Sequence, residues 1–259
     1  MEEAHTHTQH GHYHLDTGGT GYTVKLKGKR EVAEGTMAFY IERPKGFTFE
    51  AGQHMDIKLI DPPENDEKGT TRHFTIVSSP SEPDLAITTR MRDSALKRIL
   101  RKMEIGQPLM VGAAHGSFTL HDEASKPAIF LAGGIGITPV YSIAKDVIER
   151  NLPYKLVIFY SNRRPEDAPF LYELQSLVRQ HDNITLVATM TEPEKSTEAW
   201  QGQTGFIDQA MLESALDNPS SAGIYYLSGP PAMVAAMQML LSNSGVAKEN
   251  IRTEEFTGY

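Results

Sequence analysis

From Ala128 onward the sequence keeps one rhythm, and that rhythm constrains the fold more than any other feature of the chain. "AIFLAGG" (128–134) is a continuous apolar run, the pattern of a strand buried on both faces. "TPVYSIAKDVIERN" then reads as a helix, "YKLVIFYSN" as a strand, "APFLYELQSLVRQH" as a helix and "NITLVATM" as a strand. "GFIDQAMLESALD" is helical after its first residues. "GIYYLSGP", "PAMVAAMQMLLSNSG" and "NIRTEEF" continue as strand, helix and strand. Strands that alternate with helices predict a doubly wound parallel sheet, because parallel neighbours need crossover connections.

The preceding hundred residues have another character. Between Tyr22 and about Leu120 the chain offers short alternating runs, among them "GQHMDIKLI", "RHFTIVSS", "LAITTRM" and "QPLMVGAAHGSFTL". They are broken by turns such as "DPPENDEKGT". One segment, "DSALKRILRKM", has helical spacing, with Asp93 or Ser94 as the N-cap. Short strands with a single helix predict a small antiparallel β-barrel. The expectation is two domains, 22–122 and 126–259, joined near Asp122–Lys126.

"MEEAHTHTQHGHYHLDTGGTG" (1–21) holds five of the 10 histidines and ends in a glycine-rich hinge. It reads as a flexible arm, or as a stretch able to take up metal ions. No metal centre is expected in the folded part. The formal net charge of -8 argues against nucleic acid or an anionic membrane as partner. The absence of cysteine excludes disulfides and thiolate-held clusters from these residues. With no apolar run near the ~20 residues of a membrane span, and no signal-like start, a cytoplasmic location is expected.

The loop "GGIGITP" has a physical purpose. Gly133, Gly134 and Gly136 let the backbone turn sharply after a buried strand and let a ligand approach it. Thr138 is placed to cap the next helix, and Pro139 suits its first turn. Free N–H groups and the helix dipole together make a seat for phosphate. "YLSGPPAM" repeats the design at a later strand end.

Four stretches in this order, "RHFT", "GGIGITP", "SGPP" and "EEFTGY", resemble the ferredoxin–NADP reductase superfamily over about Tyr22 to Tyr259. The resemblance implies FAD and NADH or NADPH as cofactors. It implies a flavin-dependent NAD(P)H oxidoreductase that passes a hydride to flavin N5, then electrons to a separate acceptor of ferredoxin or flavodoxin type. Arg72 would bind the FAD pyrophosphate, Phe74 would pack on the flavin ring where relatives have Tyr, and Thr75 would hydrogen-bond near N5, with His73 between them. Thr88, Thr89 and Arg90 would line the ribityl or ribose. Asp93, Ser94 and Ala95 would close the pyrophosphate site, though the glycine usual in this turn is missing.

Gly133, Gly134, Gly136, Thr138 and Pro139 would hold the nicotinamide nucleotide, with Ser228, Gly229, Pro230 and Met233 beside the nicotinamide. Ser228 stands where relatives have cysteine. Glu255 and Phe256 would approach the flavin, with Tyr259 as an alternative lid. Thr75, Ser228, Glu255 and Phe256 are thus the catalytic candidates. Ser161 and Asn162 would also bind cofactor, and selectivity between the two nucleotides would lie in "YSNRRPED": Arg163 and Arg164 could hold a 2′-phosphate, whereas Glu166 or Asp167 could hold a 2′-hydroxyl. The missing tyrosine partner favours NADH. Two further readings remain: a reductase of small molecules such as free flavin, O₂ or ferric iron, and a nucleotide-binding regulatory subunit. Finally, "RMRDSALKRILRK" gathers Arg90, Arg92, Lys97, Arg98, Arg101 and Lys102, a basic face able to steer an acidic carrier.

Overall fold

The computed structural model describes residues 12–14, 20–67 and 69–256. Tyr259 and most of the histidine-rich arm lie outside them. The first part is one antiparallel sheet of β2 (Thr20–Ala33), β3 (Thr36–Glu42), β4 (His54–Leu59), β5 (Thr71–Thr75), β6 (Asp84–Arg90) and β7 (Pro108–Val111), in the order β5-β4-β7-β2-β3-β6. Within the arm, β1 (His12–His14) pairs with the start of β2. The sheet curls until its two ends meet, where the Val77 N–H donates to Ala86 O at 2.7 Å. Phe39, Ile41, Ile57, Leu85, Ile87 and Val111 fill the interior. One helix, α1 (Ala95–Lys102), closes it with Leu96 and Leu100. Ser94 is its N-cap, its hydroxyl accepting from the Lys97 N–H.

The second part is all parallel: β8 (Ala128–Gly133), β9 (Leu156–Asn162), β10 (Ile184–Met190), β11 (Gln203–Thr204), β12 (Ile224–Gly229) and β13 (Ile251–Glu255), ordered β11-β10-β9-β8-β12-β13. Helices α2 (Ile137–Glu149), α3 (Leu171–Gln180), α4 (Gln209–Ala215) and α5 (Pro231–Asn243) cover both faces. The continuous apolar run of β8 follows from this. Phe130 and Ala132 pack into one core beside Val140 and Ile143, while Ile129 and Leu131 pack into the other beside Leu212 and Val234. Strand β8 lies between β9 and β12. The winding therefore reverses there and opens a crevice at the carboxyl ends of β8 and β12.

The two parts are packed together. Ala51, Val77 and Phe118 share a core with α2, and the buried Ser142 hydroxyl donates to Ser78 O at 2.8 Å. Two expectations are corrected. The segment "QPLMVGAAHGSFTL" is strand only over Pro108–Val111, with His115 making a single bridge to His54. Thr138 is not the N-cap of α2. Gly134–Gly136 forms a 3-10 turn that leads into the helix at Ile137, so the threonine falls in the first turn and donates to Ile135 O at 2.9 Å. Gly136 adopts helical dihedrals itself and so takes the N-cap position that the sequence assigned to the threonine.

Candidate functional site

A cleft of about 730 Å³ opens at the switch point. Gly133 and Gly134 from the end of β8, Ser161, Asn162 and Arg163 from the end of β9, and Pro230 and Met233 at the start of α5 line it. Arg90 and Arg92 reach it from the antiparallel sheet. The local sequence explains the shape. Gly134 has φ +56, a conformation glycine adopts without strain. At Gly136 a Cβ would lie 2.3 Å from Ser228 O, so only glycine lets the β8 and β12 loops approach so closely. The same contact decides the place of Ser228. Its hydroxyl is buried and donates to Gly136 O at 2.7 Å. Ser228 thus ties the two loops together, and like Gly136, Thr138 and Pro139 it is buried behind the cleft wall. Gly229 is also buried, and its carbonyl accepts from the Phe256 N–H at 2.9 Å, so the chain's last described residues are anchored to the same strand end.

The charged segment after β9 divides in a way the sequence did not reveal. Arg163 is exposed in the cleft, but Arg164 is turned into a cluster of acids. It donates to both carboxylate oxygens of Asp167, at 2.8 and 2.9 Å, and to Glu34 at 2.9 Å. Glu166 points away from the cleft, accepting from the Ser196 hydroxyl at 2.7 Å and the Thr197 N–H at 3.0 Å. Those bonds, the serine's foremost, hold its carboxyl down at about 2. Asp167 alone among these acids lines the cleft, with its charge shared by Arg164.

On the antiparallel sheet, Arg72 Nη2 donates to Asp66 Oδ1 at 2.6 Å and Nη1 to the carbonyls of Gly69 and Thr71. The other oxygen of Asp66 accepts from the Ala95 N–H at 3.0 Å, at the first turn of α1. Arg72, Ala95 and Ser94 are therefore brought together, whereas Asp93 is exposed and pairs with Arg98. Phe74 packs on the barrel core. Thr89 is buried, its hydroxyl near Arg90 O. His73, on the opposite face of β5, is exposed and contacts Asp56.

Several polar atoms here are buried without a hydrogen-bond partner in the protein: Thr75 Oγ1, Thr88 Oγ1, Arg90 Nε and both side-chain atoms of Asn162. Folded proteins rarely leave such groups unpaired, because each costs about 1–3 kcal/mol. All four residues belong to the set expected to contact cofactors, and their spare capacity fits a polar dinucleotide.

His54, paired with Thr75 across β4 and β5, lies beside Glu254, a residue that was not foreseen. Glu254 lies one residue before the exposed Glu255, its Oε2 is buried without a partner, and its Oε1 is 3.8 Å from His54 Nδ1. Burial raises the Glu254 carboxyl to about 7. Burial also pushes His54 down to about 4, helped by His115 and His73. Asp66, Glu254 and the histidine group are what the sequence reading missed. A turn residue and a second acid in "EE" gave no signal, because strand register decides which of them faces inward.

Together the two sheets define an antiparallel barrel joined to a doubly wound sheet with a glycine-lined crevice, the ferredoxin–reductase type of fold. The sequence model of the oxidoreductase NAD-binding domain matches residues 130–239. The glycine betaine monooxygenase reductase subunit of Chromohalobacter salexigens is 30% identical over 211 residues, 80% of this chain and 56% of that protein. NADH-cytochrome b5 reductase 1 of Aspergillus oryzae is 28% identical over 236 residues, 86% of this chain and 78% of that protein. The crystal structure of a ferredoxin NADP+ reductase from Neisseria gonorrhoeae with bound FAD and NADP matches with a TM-score of 0.75 at 20% identity, covering 91% of this chain and 98% of that one. The chain is thus similar in fold to the ferredoxin–NADP reductases and matches an oxidoreductase NAD-binding domain over residues 130–239. It spans 56–60% of the length of the monooxygenase reductase subunits it resembles. Among the described residues, no helix is long and apolar enough to cross a membrane.

Proposed function

We propose that this protein is a FAD-containing oxidoreductase that takes a hydride from NAD(P)H and delivers electrons to a separate protein. Residues 22–122 hold FAD and residues 126–259 hold the nicotinamide nucleotide. The observation that carries this reading is the cleft in which Arg90 of the barrel faces the glycine-rich ends of β8 and β12, with Arg90 Nε and Asn162 left unpaired in its wall. FAD, when bound, supplies the chemistry that splits a hydride into single electrons.

The protein's part is binding and orientation. Arg72 and the Ala95 N–H offer a planar fork and a helix-end donor to a pyrophosphate. Phe74 supports the ring, and the Thr75 hydroxyl can donate or accept at N5. The Gly134 turn and Pro230 receive the nicotinamide nucleotide, whose approach the Ser228–Gly136 tie keeps rigid. NADH is the favoured nucleotide, because Asp167 lines the cleft where a 2′-hydroxyl would bond and a 2′-phosphate would be repelled.

The acceptor we propose is an acidic one-electron carrier of the ferredoxin or flavodoxin kind. Support comes from relatives described as reductase subunits of a monooxygenase and from exposed Arg101 and Lys102 on α1. Of the other cations of that face, Arg90 and Arg92 line the cleft. Arg98 pairs with Glu64 and Asp93, and the Lys97 ammonium donates to Arg90 O. Anaerobic titration of the purified yellow protein tests the reading. NADH should bleach the flavin band at one equivalent per FAD, and a ferredoxin should then reoxidise it. A protein that purifies without flavin and takes up none would overturn it.

A further inference from the structure

We propose that Asp56, His73 and His115 form a binding site for a divalent transition-metal ion of the zinc, cobalt or nickel type. Strands β4 and β5 are antiparallel, and their register sets Asp56 directly opposite His73. Directly opposed residues project from the same face with their Cβ atoms about 4.5–5.5 Å apart. His115 follows β7 and is fixed by two backbone hydrogen bonds to His54, each 2.9 Å. Three segments thus deliver two imidazoles and a carboxylate, with ligand atoms all within 4.8 Å of one another.

The arrangement has the marks of a built site. Asp56 is 4% exposed, an anionic base held in the middle of a strand. His73 contacts its carboxylate, and both histidines face solvent, which leaves an open path for an ion. His115 Nδ1 is 3.1 Å from Ala113 O. As the donor of that bond, Nδ1 leaves the lone pair on Nε2, the tautomer that a backbone carbonyl behind the ring selects in metal-ligating histidines. The His54 ring packs edge-on against His115, with centroids 4.2 Å apart, and limits its rotation.

Two nitrogens and one oxygen suit metals of borderline softness better than magnesium or calcium, which prefer oxygen. Three protein ligands leave a position for water or a further ligand. The competing interpretation is a plain Asp56–His73 ion pair with His115 as a bystander.

The arm histidines could bind the same metals, so the test removes them. In the 259-residue chain, His5, His7, His10, His12 and His14 are replaced by Asn, and bound metal is stripped with a chelator. Titration calorimetry with Zn²⁺ alone should then give one ion per chain, and Co²⁺ should give visible d–d absorption. In that background His115→Asn and Asp56→Asn should each weaken Zn²⁺ binding by at least about tenfold. His115 is exposed, so its variant keeps the fold, which circular dichroism verifies. His181→Asn, at the C-terminal end of α3, should bind as the parent does. No saturable binding in the arm-substituted protein, or binding unaffected by His115→Asn, would overturn the proposal.

Discussion

Asp66 joins Arg72 to the start of α1: one carboxylate oxygen accepts from the guanidinium at 2.6 Å and the other from the Ala95 N–H at 3.0 Å. An anion thereby occupies the two donors proposed for the FAD pyrophosphate. If the pyrophosphate is held there, cofactor loading displaces Asp66 from these donors. Asp66→Asn should therefore tighten FAD binding, by about 1 kcal/mol or roughly fivefold, since a neutral amide competes less for the guanidinium. Fluorescence titration of the apoprotein measures it, and weaker binding would mean that Asp66 organises the site.

Arg72→Ala should act in the opposite direction. Loss of a charge-assisted phosphate contact costs on the order of 1.5–3 kcal/mol, so FAD affinity should fall about tenfold to a hundredfold. FAD retained as tightly as in the wild type would refute the role given to this arginine.

The Ser228–Gly136 tie can be tested from either side. Gly136→Ala places a methyl group against Ser228 O, an overpacking that costs about 1–3 kcal/mol and separates the two loops. Reduction by NAD(P)H should slow by tenfold or more while FAD content stays normal. Stopped-flow reduction and the flavin absorbance of the same sample check both halves.

Glu254 gives a pH signature. Its folded value of about 7 lies above the ordinary 4.5, so the native state holds the proton more tightly than the unfolded chain. The stability linked to this group is complete below pH 4.5 and is lost as pH rises through 7. His54, 3.8 Å away, is kept neutral and does not offset the carboxylate. Glu254→Gln should raise Tm at pH 8, on the order of 2–4 °C, and leave it nearly unchanged at pH 5. Equal shifts at both pH values would contradict the raised carboxyl.

Nucleotide preference should respond to Asp167. Removing one charge near a 2′-phosphate is worth about 1 kcal/mol at solvent-exposed distances. Asp167→Ala should thus improve NADPH over NADH about fivefold in kcat/KM, helped by Arg164, which then keeps only Glu34 and Glu166 as acidic partners. Steady-state kinetics with both nucleotides decide it.

Docking is tested at the two exposed cations of α1. Arg101→Glu with Lys102→Glu should slow reduction of a ferredoxin at low salt and flatten its salt dependence. Ferricyanide reduction, which needs no docked protein, should change little. Equal losses with both acceptors would mean that α1 supports FAD and docks nothing.

What the sequence determined by itself is what short-range physics writes. The strand–helix rhythm after Ala128 follows from burial of β8 on both faces. The turns at Gly133–Gly136 and Gly229–Pro230 follow from backbone freedom, and a helix cap at Asp93 or Ser94 from local hydrogen bonding, with the structure choosing Ser94. These features alone specify the doubly wound sheet and its crevice. Only the tertiary structure decided the rest, because those contacts join residues far apart in the chain. The β4–β5 register, not any motif, set Asp56 beside His73, and the His54–His115 bridge added the third ligand. Packing turned Ser228 into a tie rather than a wall of the cleft, and strand pairing chose Glu254 over Glu255 for burial. Arg163 and Arg164 are adjacent and chemically identical, yet one faces the cleft and the other is bound by three acids, from Glu34, Glu166 and Asp167. A local pattern cannot distinguish them, since the difference lies in which charges the fold brings near each one.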